Sequence, residues 1–268
     1  MKKLITIYLV ATVILMISGA ANANWTPDEP NKMHYPQLPD PYGWDVSFTN
    51  TVLADDWQCS ETGYVKDIHL WFSIKGWNNE YLPEMTGPSI YVSIYADIPA
   101  ELSTTGYSMP GGKALWQRIF AEDEYEAEYA GSGNQGWLDP VTGGAVPSDH
   151  TAYFIMNIEN FPSTEEEPLF LQEQGTIYWL AIQVTPADVH LPPEEEYEIG
   201  WKTSISEHFM DDAVWCPYDG LYDWQELRYP EDDLRYGQSI DLAFVITPEP
   251  TTIALLGLGA LSLIRRKK

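Results

Sequence analysis

The sequence predicts an all-β protein, a single antiparallel β-sandwich of jelly-roll type, flanked by one apolar helix at each end. Three observations carry this. Short segments alternate apolar and polar residues with period two, the signature of half-buried strands. The breaks between them hold turn chemistry: Gly76-Trp77-Asn78-Asn79, Pro110-Gly111-Gly112, Gly131-Ser132-Gly133-Asn134 and Thr142-Gly143-Gly144. No helical period occurs outside the two apolar terminal runs. With 11 Trp and 17 Tyr in 268 residues, the chain also has too many aromatics for a disordered one.

Taken in order, the chain begins with Lys2 and Lys3, an apolar or hydroxyl run from Leu4 to Ile17, and Ala21-Asn22-Ala23. This is the layout of a secretory signal peptide over residues 1–23. Signal peptidase is expected to cut between Ala23 and Asn24, with Ala21 and Ala23 as the small residues it reads. Residues 24–45 form a lead-in with five prolines (Pro27, Pro30, Pro36, Pro39, Pro41), expected to lie extended on the domain. Strands follow from Val46. In Lys66–Ile74, Ile68, Leu70, Phe72 and Ile74 share one face. In Ile90–Asp97, Ile90, Val92, Ile94 and Ala96 do the same. Lys113–Ala121 reads as a strand or a single helical turn, and His150–Ile158 is a further strand. Gly175–Val184 is apolar on both faces and belongs in the middle of a sheet. Tyr197–Ser204, Asp211–Cys216 and Gln238–Thr247 complete a set of nine or ten. No linker divides residues 46–247, so they are expected to form one domain.

Charge narrows the function classes. The chain has 14 basic and 40 acidic residues. Six of the basic residues and one acidic residue lie in the terminal segments, which leaves the body with 8 basic and 39 acidic residues, near −31. Such a surface repels nucleic acid and anionic lipid. The five histidines (His34, His69, His150, His190, His208) have no zinc spacing, and no nucleophile elbow, H-E-x-x-H or phosphate loop is present.

Two segments echo each other: Ala54-Asp55-Asp56-Trp57-Gln58-Cys59 and Met210-Asp211-Asp212-Ala213-Val214-Trp215-Cys216. Three readings are open. On neighbouring strands, Cys59 and Cys216 would form a disulfide in an oxidising compartment, worth about 5 kcal/mol for so long a loop. Alternatively, Asp55, Asp56, Asp211 and Asp212 would converge on one calcium, which takes six to eight oxygens. In the third, the aspartates cap turns or are solvated. Calcium is the one cofactor with candidate ligands; otherwise none is expected. The runs Glu122-Asp123-Glu124, Glu165-Glu166-Glu167 and Glu194-Glu195-Glu196 read as solvated loop charges. Trp71, Trp77, Trp137, Trp201 and Trp224 read either as packing anchors or as a sugar-stacking platform.

The chain ends on Pro248-Glu249-Pro250, a fourteen-residue apolar run from Thr251 to Ile264, and Arg265-Arg266-Lys267-Lys268. At ~1.5 Å per residue a helix here reaches about 21 Å, short of the ~30 Å of a bilayer core. The four basic residues are expected to stay cytoplasmic, with the body outside. This segment, 248–268, is similar to the PEP-CTERM sorting signal of exopolysaccharide-producing Gram-negative bacteria. The resemblance implies transient anchoring and then cleavage by an exosortase-type membrane protease that reads Pro248, Glu249 and Pro250. Pieces of the body, among them Leu53–Cys59, Asp67–Trp71, Gly200–Ser204, Asp211–Trp215 and Gly237–Ile246, resemble a domain family of unknown function that recurs in secreted PEP-CTERM proteins. That resemblance implies no catalytic residues.

The expectation is therefore an exported cell-surface or extracellular-matrix protein, not an enzyme, whose sandwich is a candidate for exopolysaccharide binding. The rival is a secreted polysaccharide lyase or hydrolase that uses acidic residues.

Overall fold

The computed structural model describes residues 25, 31, 33–83, 88–159, 161–164, 166–184, 197–205, 212–218 and 223–247. Both expected terminal helices lie outside them. The described residues form fifteen strands: β1 (Trp44–Ser47), β2 (Thr51–Gln58), β3 (Gly63–Tyr64), β4 (Asp67–Ile74), β5 (Ile90–Ile98), β6 (Met109–Pro110), β7 (Trp116–Phe120), β8 (Glu126–Asp139), β9 (Gly144–Ile158), β10 (Leu171–Gln172), β11 (Ile177–Val184), β12 (Ile199–Lys202), β13 (Val214–Pro217), β14 (Gln225–Glu226) and β15 (Phe244–Thr247). The all-β expectation is met.

Two large sheets and a two-stranded antiparallel ribbon, β3 with β10, make up the body. One is antiparallel throughout, in the order β14-β13-β2-β11-β5, with β6 and β7 both pairing with β5. The other runs β12-β1-β8-β9-β4-β15, and β12 also pairs with β4. One edge of β4 carries β9. Its other edge is shared: Asp67–Leu70 meets β15, and Phe72–Ile74 meets β12. Strands β12, β1, β8, β9 and β4 therefore close into a five-stranded ring.

This architecture departs from an antiparallel jelly-roll sandwich in two ways. The ring is closed, and β1 runs parallel to β8, with Asp45 opposite Trp137. The alternating faces explain what lies between the sheets. Ile68, Leu70, Phe72 and Ile74 of β4 meet Leu53 and Trp57 of β2 in one core cluster. Each such side chain contributes about 1.5–3 kcal/mol when fully buried. A smaller cluster, with Val52, Trp179, Val214 and Trp224, covers the other face of the antiparallel sheet. Bridges from Met33, Gln37 and Pro39 to Cys59, Phe244 and Ser204 lay the lead-in along the body.

The largest departure from the sequence reading is β8. Gly131-Ser132-Gly133-Asn134, read above as a turn, lies inside a fourteen-residue strand. The glycines serve close approach, not chain reversal. A Cβ on Gly131 would lie 2.5 Å from the Tyr153 hydroxyl, and one on Gly136 would lie 2.5 Å from the Trp44 ring. The actual reversal is at Thr142-Gly143, where Gly143 has φ +70° and Asp139 accepts from the Val141 and Thr142 amides.

Candidate functional site

The structure first settles where the DD-Trp-Cys echoes lie. Strand β13 pairs with β2, so the two segments are neighbours as expected. The pairing is antiparallel, and that separates the cysteines. Cys216 stands opposite Val52, whereas Cys59 follows Gln58 at the far end of β2. Seven steps at ~3.3 Å place them about 23 Å apart along the strand, against a Cα reach of about 4.4–6.8 Å for a disulfide. Two strands that read the same way cannot, when antiparallel, bring both their DD ends and their Cys ends together.

On β2 the two aspartates point to opposite faces. Asp55 shares a face with Leu53 and Trp57, toward the core between the sheets, and Asp56 shares the opposite face with Val52 and Ala54. Both are fully buried. Asp55 accepts the Leu242 amide at 2.6 Å and the Asp56 amide at 2.8 Å, so its oxygens are already engaged. Burial pushes its carboxyl well above the usual range, and Asp212 adds to this while the two amides oppose it. Asp212 lies 3.8 Å from Arg228, and Asp211 lies outside the described residues. No metal-binding cluster of His, Cys, Asp and Glu occurs among the described residues.

The tryptophan platform is likewise replaced. Trp71, Trp137, Trp201 and Trp224 are core residues, each no more than 5% exposed, and Trp77 is half-buried. Nor are the glutamate runs wholly solvated. Glu124 and Glu167 both pair with the buried guanidinium of Arg118, at 3.0 and 3.6 Å. The residues Ala21, Ala23, Asn24, Pro248, Glu249, Pro250, Arg265, Arg266, Lys267 and Lys268 lie outside the described set.

The feature that sequence reasoning missed is inside the ring. Each of its five strands contributes a polar side chain to one inward-facing network: Asp45 from β1, Lys202 from β12, Ser73 from β4, Gln135 from β8 and His150 from β9. All are essentially inaccessible. Asp45 Oδ2 accepts from His150 Nε2 at 3.1 Å and from Lys202 Nζ at 3.3 Å. Asp45 Oδ1 accepts from the Ser73 hydroxyl, and Lys202 also donates to Gln135 Oε1. Lys202 Nζ sits 5.1 Å from the Tyr153 ring centroid. Burial drives the Lys202 ammonium below its ordinary value, with Asp45 opposing. Burial alone would raise Asp45, yet Lys202 and His150 hold it below the usual carboxylate range. His150 is raised: burial disfavours its cation, but hydrogen bonds to Asp45 and Asp149 outweigh that.

A bulge allows His150 to join. The amides of Thr151 and Ala152 both donate to the Trp77 carbonyl at 3.3 Å, so two residues of β9 oppose one. The side-chain alternation shifts there, and both Tyr153 and His150 point into the ring.

The same bulge forms the floor of an open cleft of about 490 Å³, lined by Asn78, Asn79, Glu80 and Tyr81 from the loop after β4, by Tyr129, Ser132 and Gly133 of β8, and by Thr151 of β9. Tyr81 is 73% exposed and Tyr129 42%, so both rings are available to a ligand. The walls are fixed. Gln135 Nε2 donates to the Thr151 carbonyl at 2.9 Å and to the Gly133 carbonyl at 3.3 Å, tying the floor to the charged network behind it. Thr151 donates to Asn78 Oδ1 at 2.9 Å, Trp77 Nε1 donates to the Tyr81 carbonyl at 3.0 Å, and the Gly76 amide donates to Asp149 at 2.7 Å. Chemically, the cleft offers two aromatic faces with their phenols, two amides, two aliphatic hydroxyls and one carboxylate. The sequence signal that could have found the network is a charged residue inside each of two apolar strands, Trp44-Asp45-Val46 and Gly200-Trp201-Lys202.

Comparison with known proteins gives two matches. Residues 247–268 match the PEP-CTERM protein-sorting motif, which directs a chain to the cell surface or extracellular space and marks it for an exosortase-type membrane protease. No curated protein and no solved structure matches the chain. Residues 33–247, from the lead-in through β15, match the domain of unknown function DUF7901, and the chain belongs to that family.

Proposed function

We propose that the protein is exported, cut near Pro248-Glu249-Pro250, and displayed at the cell surface or in the extracellular matrix, where its β-domain binds polysaccharide without turning it over. The observation that carries this reading is the cleft between the 78–81 loop and β8/β9. Sugar rings present apolar faces and hydroxyl edges. Tyrosine rings suit the faces, and amides and hydroxyls suit the edges. The cleft is also preorganised, because its floor is held by Gln135 and its loop by Trp77 and Asp149. Preorganisation lowers the cost of binding.

Binding is favoured over hydrolysis because Glu80 is the one carboxylate among the described lining residues, whereas glycoside hydrolysis ordinarily needs a pair. The test is a glycan array probed with the detergent-solubilised full chain, followed by a reducing-sugar assay on every hit. The expected result is binding that falls about tenfold in Tyr81→Ala and in Tyr129→Ala, with no sugar released. Release of sugar that Glu80→Gln abolishes would make the protein an enzyme. For the sorting half, a reporter carrying residues 248–268 should become surface-exposed, and one lacking Pro248-Glu249-Pro250 should stay uncut.

A further inference from the structure

We infer that the cleft selects uncharged glycan segments, neutral hexoses or N-acetylated hexosamines, and rejects uronate-bearing ones. This rests on the glycan-binding reading above. The charge of the lining carries it. Glu80 is its one carboxylate, and no Lys or Arg is among the described lining residues. Glu80 stands next to Tyr81 in the chain, and its carboxylate pushes that phenol above its ordinary value. A carboxylate on a sugar stacked on Tyr81 would therefore meet a like charge.

Lys75 and Lys202 are committed elsewhere. Lys75, at the start of the loop, pairs with Glu198 at 2.6 Å and lies 5.7 Å from the Trp137 ring centroid. Lys202 sits behind the Gln135 side chain, inside the ring, and is spent on Asp45. Across the molecule the excess of acid, net −26 for the whole chain, sets a background that also disfavours polyanions. What remains in the cleft suits hydroxyl and acetamido groups. The Asn78 amide is aimed, accepting from Thr151 at 2.9 Å and donating to the Gly76 carbonyl at 3.0 Å.

The probes are neutral glucan, mannan and galactan oligomers, N-acetylglucosamine oligomers, and the same hexose oligomers oxidised at C6 to uronates. Affinity is measured by calorimetry on the full chain in detergent. The expected result is that at least one uncharged series binds, that its oxidised form binds about tenfold more weakly, as a like-charge contact near a surface gives, and that Glu80→Gln removes most of that difference. Equal or tighter binding of the uronates, still lost in Tyr129→Ala, would overturn the charge selection and leave the cleft as a glycan site. Failure of every oligomer to bind, or binding unaffected by Tyr81→Ala and Tyr129→Ala, would overturn the cleft reading itself, and the selectivity with it.

Discussion

Replacing Lys202 by Met tests the charged core of the ring. Met keeps most of the apolar stem against Tyr153 but deletes the ammonium. Asp45, fully buried, then keeps only Ser73 and His150, and Gln135 Oε1 loses its donor. Breaking a buried ion pair by removing one partner costs about 3–5 kcal/mol. That is a large part of the ~5–15 kcal/mol stability usual for a domain. At about 2–4 °C per kcal/mol for a domain of this size, the midpoint should fall by about 6–20 °C. The assays are thermal and urea denaturation followed by Trp fluorescence on the full chain, wild type against Lys202→Met, Asp45→Asn and the double variant, with the urea slope checked for constancy. Asp45→Asn with Lys202→Met leaves no uncompensated charge, so the double variant should cost at least 2 kcal/mol less than the sum of the singles. Additivity within about 0.5 kcal/mol, or a Lys202→Met cost under about 1 kcal/mol, would refute the claim that the two charges hold each other.

Four further outcomes follow from the same structure. His150 is raised above 6.5 in the fold, so its contribution is fully present below that value and is lost as pH rises through the higher folded value; the stability difference between wild type and His150→Gln should be larger at pH 5 than at pH 9, and a difference independent of pH would contradict the contacts with Asp45 and Asp149. Asp45 is held below 3.8, so its own contribution persists at pH 5 and fades only in stronger acid. Cys59 and Cys216 should both be alkylated in denaturant without prior reduction, and reductant should leave the unfolding midpoint unchanged; a mass spectrum showing them cross-linked would contradict the β2/β13 register. Gly136→Ala should cost about 1–3 kcal/mol through overpacking, because the new methyl would lie 2.5 Å from a Trp44 ring that is buried and anchored by a 2.7 Å bond to Asp233, and the additional change Trp44→Leu should recover part of that loss in the same denaturation assay.

The strands whose alternation is strong were legible. Asp67–Ile74 and Ile90–Ile98 stand almost where the period-two pattern puts them, because their buried faces lie against the core between the sheets. Strand β8 was hidden because its glycines, which admit Tyr153 and Trp44, look the same in a sequence as glycines that reverse the chain. The DD-Trp-Cys echo was legible as a pair of neighbouring segments and misleading as chemistry, since strand direction decides which of their residues meet. Closure of the ring was beyond reach for a different reason. It depends on β12 pairing with two strands, and a pairing partner leaves no periodic trace in the strand that it joins. The cleft lies on a loop, a bulge and a glycine-rich stretch, three places where local pattern carries no signal.

The ring also explains why a charged network is placed at its centre. Lys202 stands directly opposite Asp45 across β12 and β1, and Asp45 stands opposite Trp137 across β1 and β8. A slip of one residue in either pairing reverses which face each side chain takes. Lys202 would then enter the apolar layer where Val46, Trp201 and Phe72 pack, with no carboxylate to meet it, and Asp45 would be stranded likewise. Neither ion tolerates that burial alone. An all-apolar interior would impose a weaker penalty on the slipped register, since hydrophobic contacts are non-directional. The five contributing strands are therefore fixed against one another by one set of hydrogen bonds. Gln135 carries that fixity outward, holding the ammonium with its oxygen and the cleft floor at Gly133 and Thr151 with its nitrogen. In this chain the charged plug thus lies directly beneath the cleft floor, one side chain away from it.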